Sequence, residues 1–230
     1  MRALAKLTLA LRITGVRPDG YHELDAEMVT VDLADELTFD DGDGLEVAGP
    51  AASGVPAEGN LVQRALEAVG RTALVRLHKF IPAGAGLGGG SADAAAVLRW
   101  AGVDDLAVAA SLGADVPFCL VGGRARVRGI GEVVEPLPDE DRSFTLLTPP
   151  LHVSTPGVYA AWDRLGGPTA DGPNDLEPAA LAVEPRLAAA RDELAERTGC
   201  VPVLAGSGST WFVEGAFPGA GLVVVRTSRP

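Results

Sequence analysis

The sequence predicts an α+β protein folded as two lobes, and three features of its patterning carry that expectation. Residues near the N-terminus alternate polar and apolar, helical and strand periodicities take turns from Asn60 onward, and beyond about Arg142 the order of strand then helix begins afresh. A chain of 230 residues has room for one large core or two modest ones, since domains usually run to roughly 100–200 residues. The lobes are placed at residues 1–142 and 143–230.

The elements follow in order. Leu7, Leu9, Leu11 and Ile13 alternate with Thr8, Ala10 and Arg12, a strand that puts Lys6 and Thr8 on the face opposite the apolar stripe. Pro18, Asp19 and Gly20 supply turn chemistry, and EMVTVDL and ELTF read as further strand. Asn60 is placed to cap a helix over LVQRALEAVG, whose Leu61, Ala65, Leu66 and Val69 share a face and which Gly70 ends. ALVRLHKF returns to strand. After a glycine run, Ser91 is placed to cap ADAAAVLRWAG, DDLAVAASLG forms a shorter helix, and ADVPFCLVGGRARVRGIGEVVEPL reads as a loop leading into strands. The second lobe opens with strand FTLLTP and helix STPGVYAAWDRL, capped by Ser154 or Thr155. A loop around GGPTADGPNDLEP, the helix PRLAAARDELAERTG and the strands CVPVLAG, TWFVEG and GLVVVRT complete it.

Composition excludes several classes of function. A net charge of −12 argues against a nucleic-acid surface, which needs a basic face. No apolar run approaches the roughly 18–20 residues that span a bilayer, and MRALAKLTLALRI lacks the continuous apolar stretch of a signal peptide, so a cytoplasmic protein is expected. Cys119 and Cys200 have no Cys or His at metal-ligand spacing and read as two small core residues. Eleven acids between Asp19 and Glu46 read as a solvated hairpin region. Only Lys6 and Lys79 among the 19 basic residues are lysines, and a surviving lysine in an arginine-rich chain can mark a place needing a compact point charge.

The most informative stretch is IPAGAGLGGGSADAAAVLRW, with five glycines among Gly84–Gly90 directly before a helix. Glycine lets backbone N–H groups converge on an anion, and the helix N-terminus adds its dipole, so a phosphate cradle is expected. The pattern G-x-x-x-x-G-K-S/T fails because Gly90 stands where the lysine would precede Ser91. Gly84, Gly86 and Gly89 match G-x-G-x-x-G, but Asp104, the acid at the right distance, falls in a helical region and not at the end of a strand.

PAGAGLGGGSADAAA resembles the second motif of the GHMP kinases. ALAKLTLALRITGVRPDGYHEL, EGNLVQRAL, SLGADVPFCLVGGRARVRGIGE, VSTPGVY, NDLE and GSGST extend the resemblance along the chain, in the order found in the 4-diphosphocytidyl-2-C-methyl-D-erythritol kinase branch of that family. The resemblance implies a two-lobed GHMP kinase fold, with a ribosomal-protein-S5-like N-terminal lobe and a ferredoxin-like C-terminal lobe. It also implies ATP-dependent phosphorylation of the 2-hydroxyl of a cytidine diphosphate substrate in the non-mevalonate isoprenoid route. Expected partners are that small molecule alone, with no nucleic acid and no membrane, the chain acting as a monomer or homodimer.

The resemblance also implies roles. Asp115 accepts the proton of the attacking hydroxyl, and Lys6 beside it keeps the carboxylate ionised. ATP lies against Pro82, Ala83, Gly84, Ala85, Gly86, Leu87, Gly88, Gly89, Gly90, Ser91 and Ala92. Asn60 and the Lys79 backbone sit on its adenine side, although Asn60 reads equally well as a helix cap. Mg²⁺ rides on the phosphates, and no all-protein metal cage is visible. Tyr21 and Tyr159, the only tyrosines, are implied as stacking faces for cytosine, with His22 reading the base and Gly206, Ser207 and Gly208 closing the substrate side. The chain departs from the family at Thr8, where asparagine is usual, and in shortened segments after Gly49, after Ala101 and around Gly166. A GHMP kinase for another small alcohol, or a nucleotide-binding relative acting as a sensor, would use many of the same residues.

Overall fold

The computed structural model describes residues 1–55 and 59–230. Glu58, the first residue of the EGNLVQRAL motif, lies outside the described residues. A hairpin of two long strands organises the N-terminal part: β1 (Arg2–Val16) runs antiparallel to β2 (His22–Asp40). The turn between them is the Pro18-Asp19-Gly20 turn expected, closed by Arg17 N to Tyr21 O (2.8 Å) and Tyr21 N to Asp19 Oδ1 (3.2 Å). EMVTVDL and ELTF are therefore one strand, long because it serves different partners along its length. Leu24–Val29 pair with β5 (Arg124–Gly129), and Glu36–Asp40 pair with β4 (Leu74–His78). β3 (Gly44–Ala48) joins β4 in parallel and β6 (Val133–Leu137) flanks β5, completing six strands.

Four helices pack beside this sheet. α1 (Leu61–Ala68) begins at Asn60, whose Oδ1 accepts from Val62 N at 2.9 Å, and Gly70 follows its end in a left-handed conformation, as expected. α2 (Gly89–Ala101) is the central helix, buried without a break from Ala92 to Leu98. Its alanines are what allow neighbours on every side to approach. Gly88, in the left-handed region at φ 68°, occupies the cap position, so Ser91 sits within the first turn and does not cap the helix. α3 (Leu106–Leu112) is capped by Asp105. VPFCLV, expected as loop, is α4 (Val116–Val121): Pro117 falls in its first turn, where no N–H is required, and four of its residues are buried.

The C-terminal part begins with β7 (Ser143–Leu147) and α5 (Thr155–Arg164), for which Ser154 is the cap. α6 (Glu177–Val183) was absent from the sequence expectation, hidden behind a Pro- and Gly-rich loop and opened by Pro178. α7 (Leu187–Thr198), β8 (Val203–Leu204), β9 (Trp211–Glu214) and β10 (Val223–Arg226) follow, and the antiparallel sheet runs β10-β7-β9-β8. One apolar cluster joins the two sheets: Leu7, Val29, Val31 and Ile81 pack with Phe144, Leu146 and Phe212. Cys119 is buried and Cys200 half-buried, and both are free.

The acid-rich segment is not uniformly solvated. Asp35, fully buried within it, pairs through Oδ2 with Lys79 Nζ, which also donates to Asp93 Oδ2 at 2.6 Å. Asp35 Oδ1 accepts from Phe80 N (2.6 Å) and Ile81 N (2.9 Å). The trio thus binds the start of the glycine loop to the second turn of α2. Burial, opposed by the Lys79 charge and reinforced by that of Asp35, raises the Asp93 carboxyl from its ordinary 3.8 to about 7.

Two outcomes are expected. Asp35→Ala removes one of the two carboxylates on the buried Lys79 ammonium and leaves two loop amides without a partner, so it should lower stability by about 2–5 kcal/mol in urea denaturation, whereas a loss under about 1 kcal/mol would contradict the structural role of the trio. The folded state retains the Asp93 proton between about pH 4 and 7 while the unfolded state releases it, so this group makes stability fall as pH rises through that window. Melting curves of wild type against Asp93→Asn should diverge in the variant's favour from about pH 4 to 7; a constant difference would reject the shift.

Candidate active site

The glycine loop, the bulged middle of β1, the start of α4 and the N-terminal turns of α5 surround one cavity of about 810 Å³. Lys6, Thr8, Tyr21, His22, Asn60, Lys79, every residue from Pro82 to Ser91, Asp115, Tyr159, Gly206 and Ser207 line it. Two expected site residues do not. Ala92 points into the core of α2 at 1% exposure, and Gly208 stands behind the 205–208 turn, its carbonyl toward Gly86.

The glycines serve two purposes. Gly84, Gly86 and Gly88 all have φ near +70°, and a Cβ on Gly86 would lie 2.1 Å from Ala205 O. A Cβ on Gly88 would meet Lys6 Cγ at 2.7 Å, and one on Gly84 would meet His152 Nδ1 at 2.4 Å. These positions are reserved for the protein's own approach to the loop. Gly90 is different: it is exposed to the cavity, has no positive φ, and its Cβ would reach only Leu61 Cδ1 at 3.5 Å. No side chain caps α2, so the first amides of a 13-residue helix open on the cavity.

Lys6 works through both backbone and side chain. At the β1 irregularity between Leu4 and Lys6, its N–H turns from the hairpin to Leu87 O (3.0 Å), which holds the loop against the strand. Its Nζ donates to Thr8 Oγ1 at 3.2 Å and stands 3.4 Å from Asp115 Oδ2. Lys6 is buried while the Asp115 side chain keeps 34% exposure, which leaves the carboxylate open to a ligand. Asp115 stands at the cap position before α4, but its side chain makes no capping bond. Thr8, where asparagine was expected, gives Lys6 a hydroxyl acceptor.

Lys79 lines the cavity and is engaged through both side chain and backbone. Its side chain belongs to the buried trio, and its backbone is in use within the fold, N–H to Ala48 O (2.8 Å) and carbonyl from Ala51 N (3.1 Å). Asn60 lines the cavity while also capping α1.

At the opposite end, the His22 ring lies 4.8 Å from that of Tyr159 and meets Trp162 edge-on at 5.4 Å, with Nε2 2.8 Å from Asp163 Oδ1. Tyr21 is 60% exposed at the rim. Burial, with the negative field of Asp115, raises the Tyr159 hydroxyl and keeps it neutral. Thr155 Oγ1 and Ser207 Oγ share a hydrogen bond of 2.8 Å that ties α5 to the 205–208 turn. That turn is set by the NDLE segment: Asn174 Nδ2 donates to Leu204 O (2.8 Å) and Gly206 O (2.7 Å), while Asp175 accepts from Arg12 Nη1 (2.7 Å) and Ile13 N (3.0 Å) of β1.

Sequence reasoning passed over Asp35, Asp93, Trp162 and Asp163. Asp93 carried a signal, a single charge within the alanine- and valine-rich run from Ala92 to Leu98, which requires a buried partner. Asp163 lies four residues after Tyr159 and so on the same face of α5.

Residues 60–123 match the N-terminal domain of the GHMP kinases. The chain is 39% identical to the 4-diphosphocytidyl-2-C-methyl-D-erythritol kinase of Cereibacter sphaeroides (strain ATCC 17029 / ATH 2.4.9), over 91% of this chain and 87% of that one. It is 40% identical to the enzyme of the same name from Paracoccus denitrificans, over 91% and 84%. Among solved structures, a 4-(cytidine 5'-diphospho)-2C-methyl-D-erythritol kinase superposes with a TM-score of 0.74 at 38% identity, over 92% of this chain and 88% of that one. The mevalonate kinase of L. major, at 13% identity and a TM-score of 0.68 over 99% and 95%, shares the fold. With the cavity, the loop and these relatives in agreement, the chain belongs to the GHMP kinase family, in the branch of the 4-diphosphocytidyl-2-C-methyl-D-erythritol kinases.

Proposed function

We propose that this chain transfers the γ-phosphoryl group of ATP to the 2-hydroxyl of 4-diphosphocytidyl-2-C-methyl-D-erythritol, with Lys6 and Asp115 at the reacting centre. The observation that carries the reading is the Lys6 Nζ to Asp115 Oδ2 pair, 3.4 Å apart, facing the glycine loop across one cavity. Phosphoryl transfer asks mainly for positioning and charge stabilisation, together with an acceptor for the hydroxyl proton. Asp115 is that acceptor: its exposed carboxylate takes the proton as the oxygen attacks phosphorus, and ADP departs. Lys6, buried and hydrogen-bonded to Thr8, brings its positive charge to the attacking oxygen and favours the developing alkoxide. The uncapped start of α2 and the amides beside Gly90 receive the phosphates. Mg²⁺ accompanies the nucleotide and would supply charge neutralisation there; among the described residues no cluster of three His, Cys, Asp or Glu offers a separate metal site. Tyr21, Tyr159 and His22 receive the cytosine at the far end, so the diphosphate bridges the two groups of residues.

A coupled assay with ATP and the cytidine compound tests the activity, and two variants test the parts. Asp115→Asn should lower kcat by about 10²–10⁴ while leaving ATP affinity nearly intact, because the lost interaction belongs to the transition state. Near-wild-type turnover would remove Asp115 from the chemistry. Gly90→Ala adds a methyl group where the fold has room, so its stability should hold; displacing one charge-assisted contact, worth about 1.5–3 kcal/mol, should raise the KM for ATP tenfold or more. An unchanged KM in that folded variant would move the phosphates elsewhere.

A further inference from the structure

His22 stands at the start of β2 with its side chain only 8% exposed, held from one side by α5. Tyr159, Trp162 and Asp163 of that helix, at i, i+3 and i+4, form its socket: a tilted ring at 4.8 Å, an edge-on ring at 5.4 Å and a carboxylate oxygen at 2.8 Å from Nε2. The two aromatic contacts fix the plane of the imidazole. The carboxylate fixes its proton. An ionised carboxylate can only accept, so the ring nitrogen facing Asp163 must carry hydrogen, and in the neutral ring the other nitrogen is then a bare acceptor. That nitrogen, Nδ1, has no hydrogen-bond partner among the described residues, and the ring it belongs to lines the cavity.

We propose that Asp163 is a specificity-determining residue: by holding His22 as the Nε2–H tautomer it presents Nδ1 as an acceptor for the 4-amino group of cytosine and thereby rejects uracil. The two bases differ at this position in the sense that matters. Cytosine offers N–H donors at C4, whereas uracil offers a carbonyl oxygen, which would face Nδ1 lone pair to lone pair. A site built to accept from an amino group discriminates strongly against an analogue that lacks the donor, because its own polar atom is then left unpaired. Asp163 touches no base and acts through His22. The inference rests on the cytidine reading of the preceding section and deepens it.

The test compares kcat/KM for the cytidine substrate and its uridine counterpart at about pH 8, where a free imidazole is neutral. Wild type should favour the cytidine compound by on the order of tenfold to a hundredfold or more. In Asp163→Asn the amide can turn either its oxygen or its NH₂ toward Nε2, so both tautomers become available. The preference should collapse by about tenfold or more, through a higher KM for the cytidine compound and a lower one for the uridine compound. A merely structural role would weaken both substrates alike. An unchanged ratio in Asp163→Asn therefore overturns the proposal while leaving the kinase reading in place. Failure of wild type to use the cytidine compound at all would overturn both together. An independent measurement needs no variant kinetics: nitrogen-15 correlation spectra of a protein with three histidines report each tautomer directly, with His22→Gln identifying the signal. Wild-type His22 should show hydrogen on Nε2 alone, and a proton on Nδ1 would overturn the assignment.

Discussion

A single buried ammonium, Lys79 Nζ between Asp35 and Asp93, constrains the rest of this molecule. Lys79 enters the glycine loop and Asp93 leaves it, so one cation closes a segment in which φ is otherwise permissive. Asp35 adds the amides of Phe80 and Ile81, which would have no partner once β4 ends. The arrangement costs desolvation of three ionisable groups and is recovered only because each has a charged or hydrogen-bonded neighbour. In return the loop is held at both ends while its middle, free of side chains, can face the cavity.

The same loop is also the seam between the two sheets. Gly86 admits Ala205 O, Gly88 admits the stem of Lys6, and Leu87 O receives the Lys6 N–H. Asn174 and Asp175 fasten the other side of the seam: one side chain grips the carbonyls of the 205–208 turn and the other grips β1. Loop, strand and turn are therefore tied to one another by direct hydrogen bonds and close packing. The Lys6–Asp115 pair lines the cavity beside them. Lys6 is fixed there by its N–H to Leu87 O and stands 3.4 Å from Asp115, an arrangement that exists only once loop, strand and α4 have packed together.

Local pattern was sufficient for much of this. The alternation around Leu7 put Lys6 and Thr8 on one face, Asn60 and Ser154 marked helix starts, and the alanine-rich run after the glycines marked a helix. Each of those signals is short-range, set by side-chain direction or backbone freedom within a few residues. The motif resemblance then brought together positions as distant as Lys6, Asp115 and Tyr159, which no periodicity could connect.

What local pattern could not show depended on neighbours distant in the chain. Asp35 looked like one more solvated acid until β4 and α2 closed over it, because burial is a property of the packed chain and not of the residue. VPFCLV read as loop, yet helix was available once its apolar residues had α2 to pack against. The loop glycines read as a phosphate cradle, whereas Gly84, Gly86 and Gly88 are required by protein atoms that arrive from His152, Ala205 and Lys6. Asp163 carried no motif at all; only the crossing of α5 over the start of β2 sets its carboxylate on His22. Side-chain type and spacing thus decide which chemistry the chain can offer. Long-range packing decides which of those groups are desolvated, which are paired and which are left open to a substrate, since each of these depends on atoms that sequence separation hides.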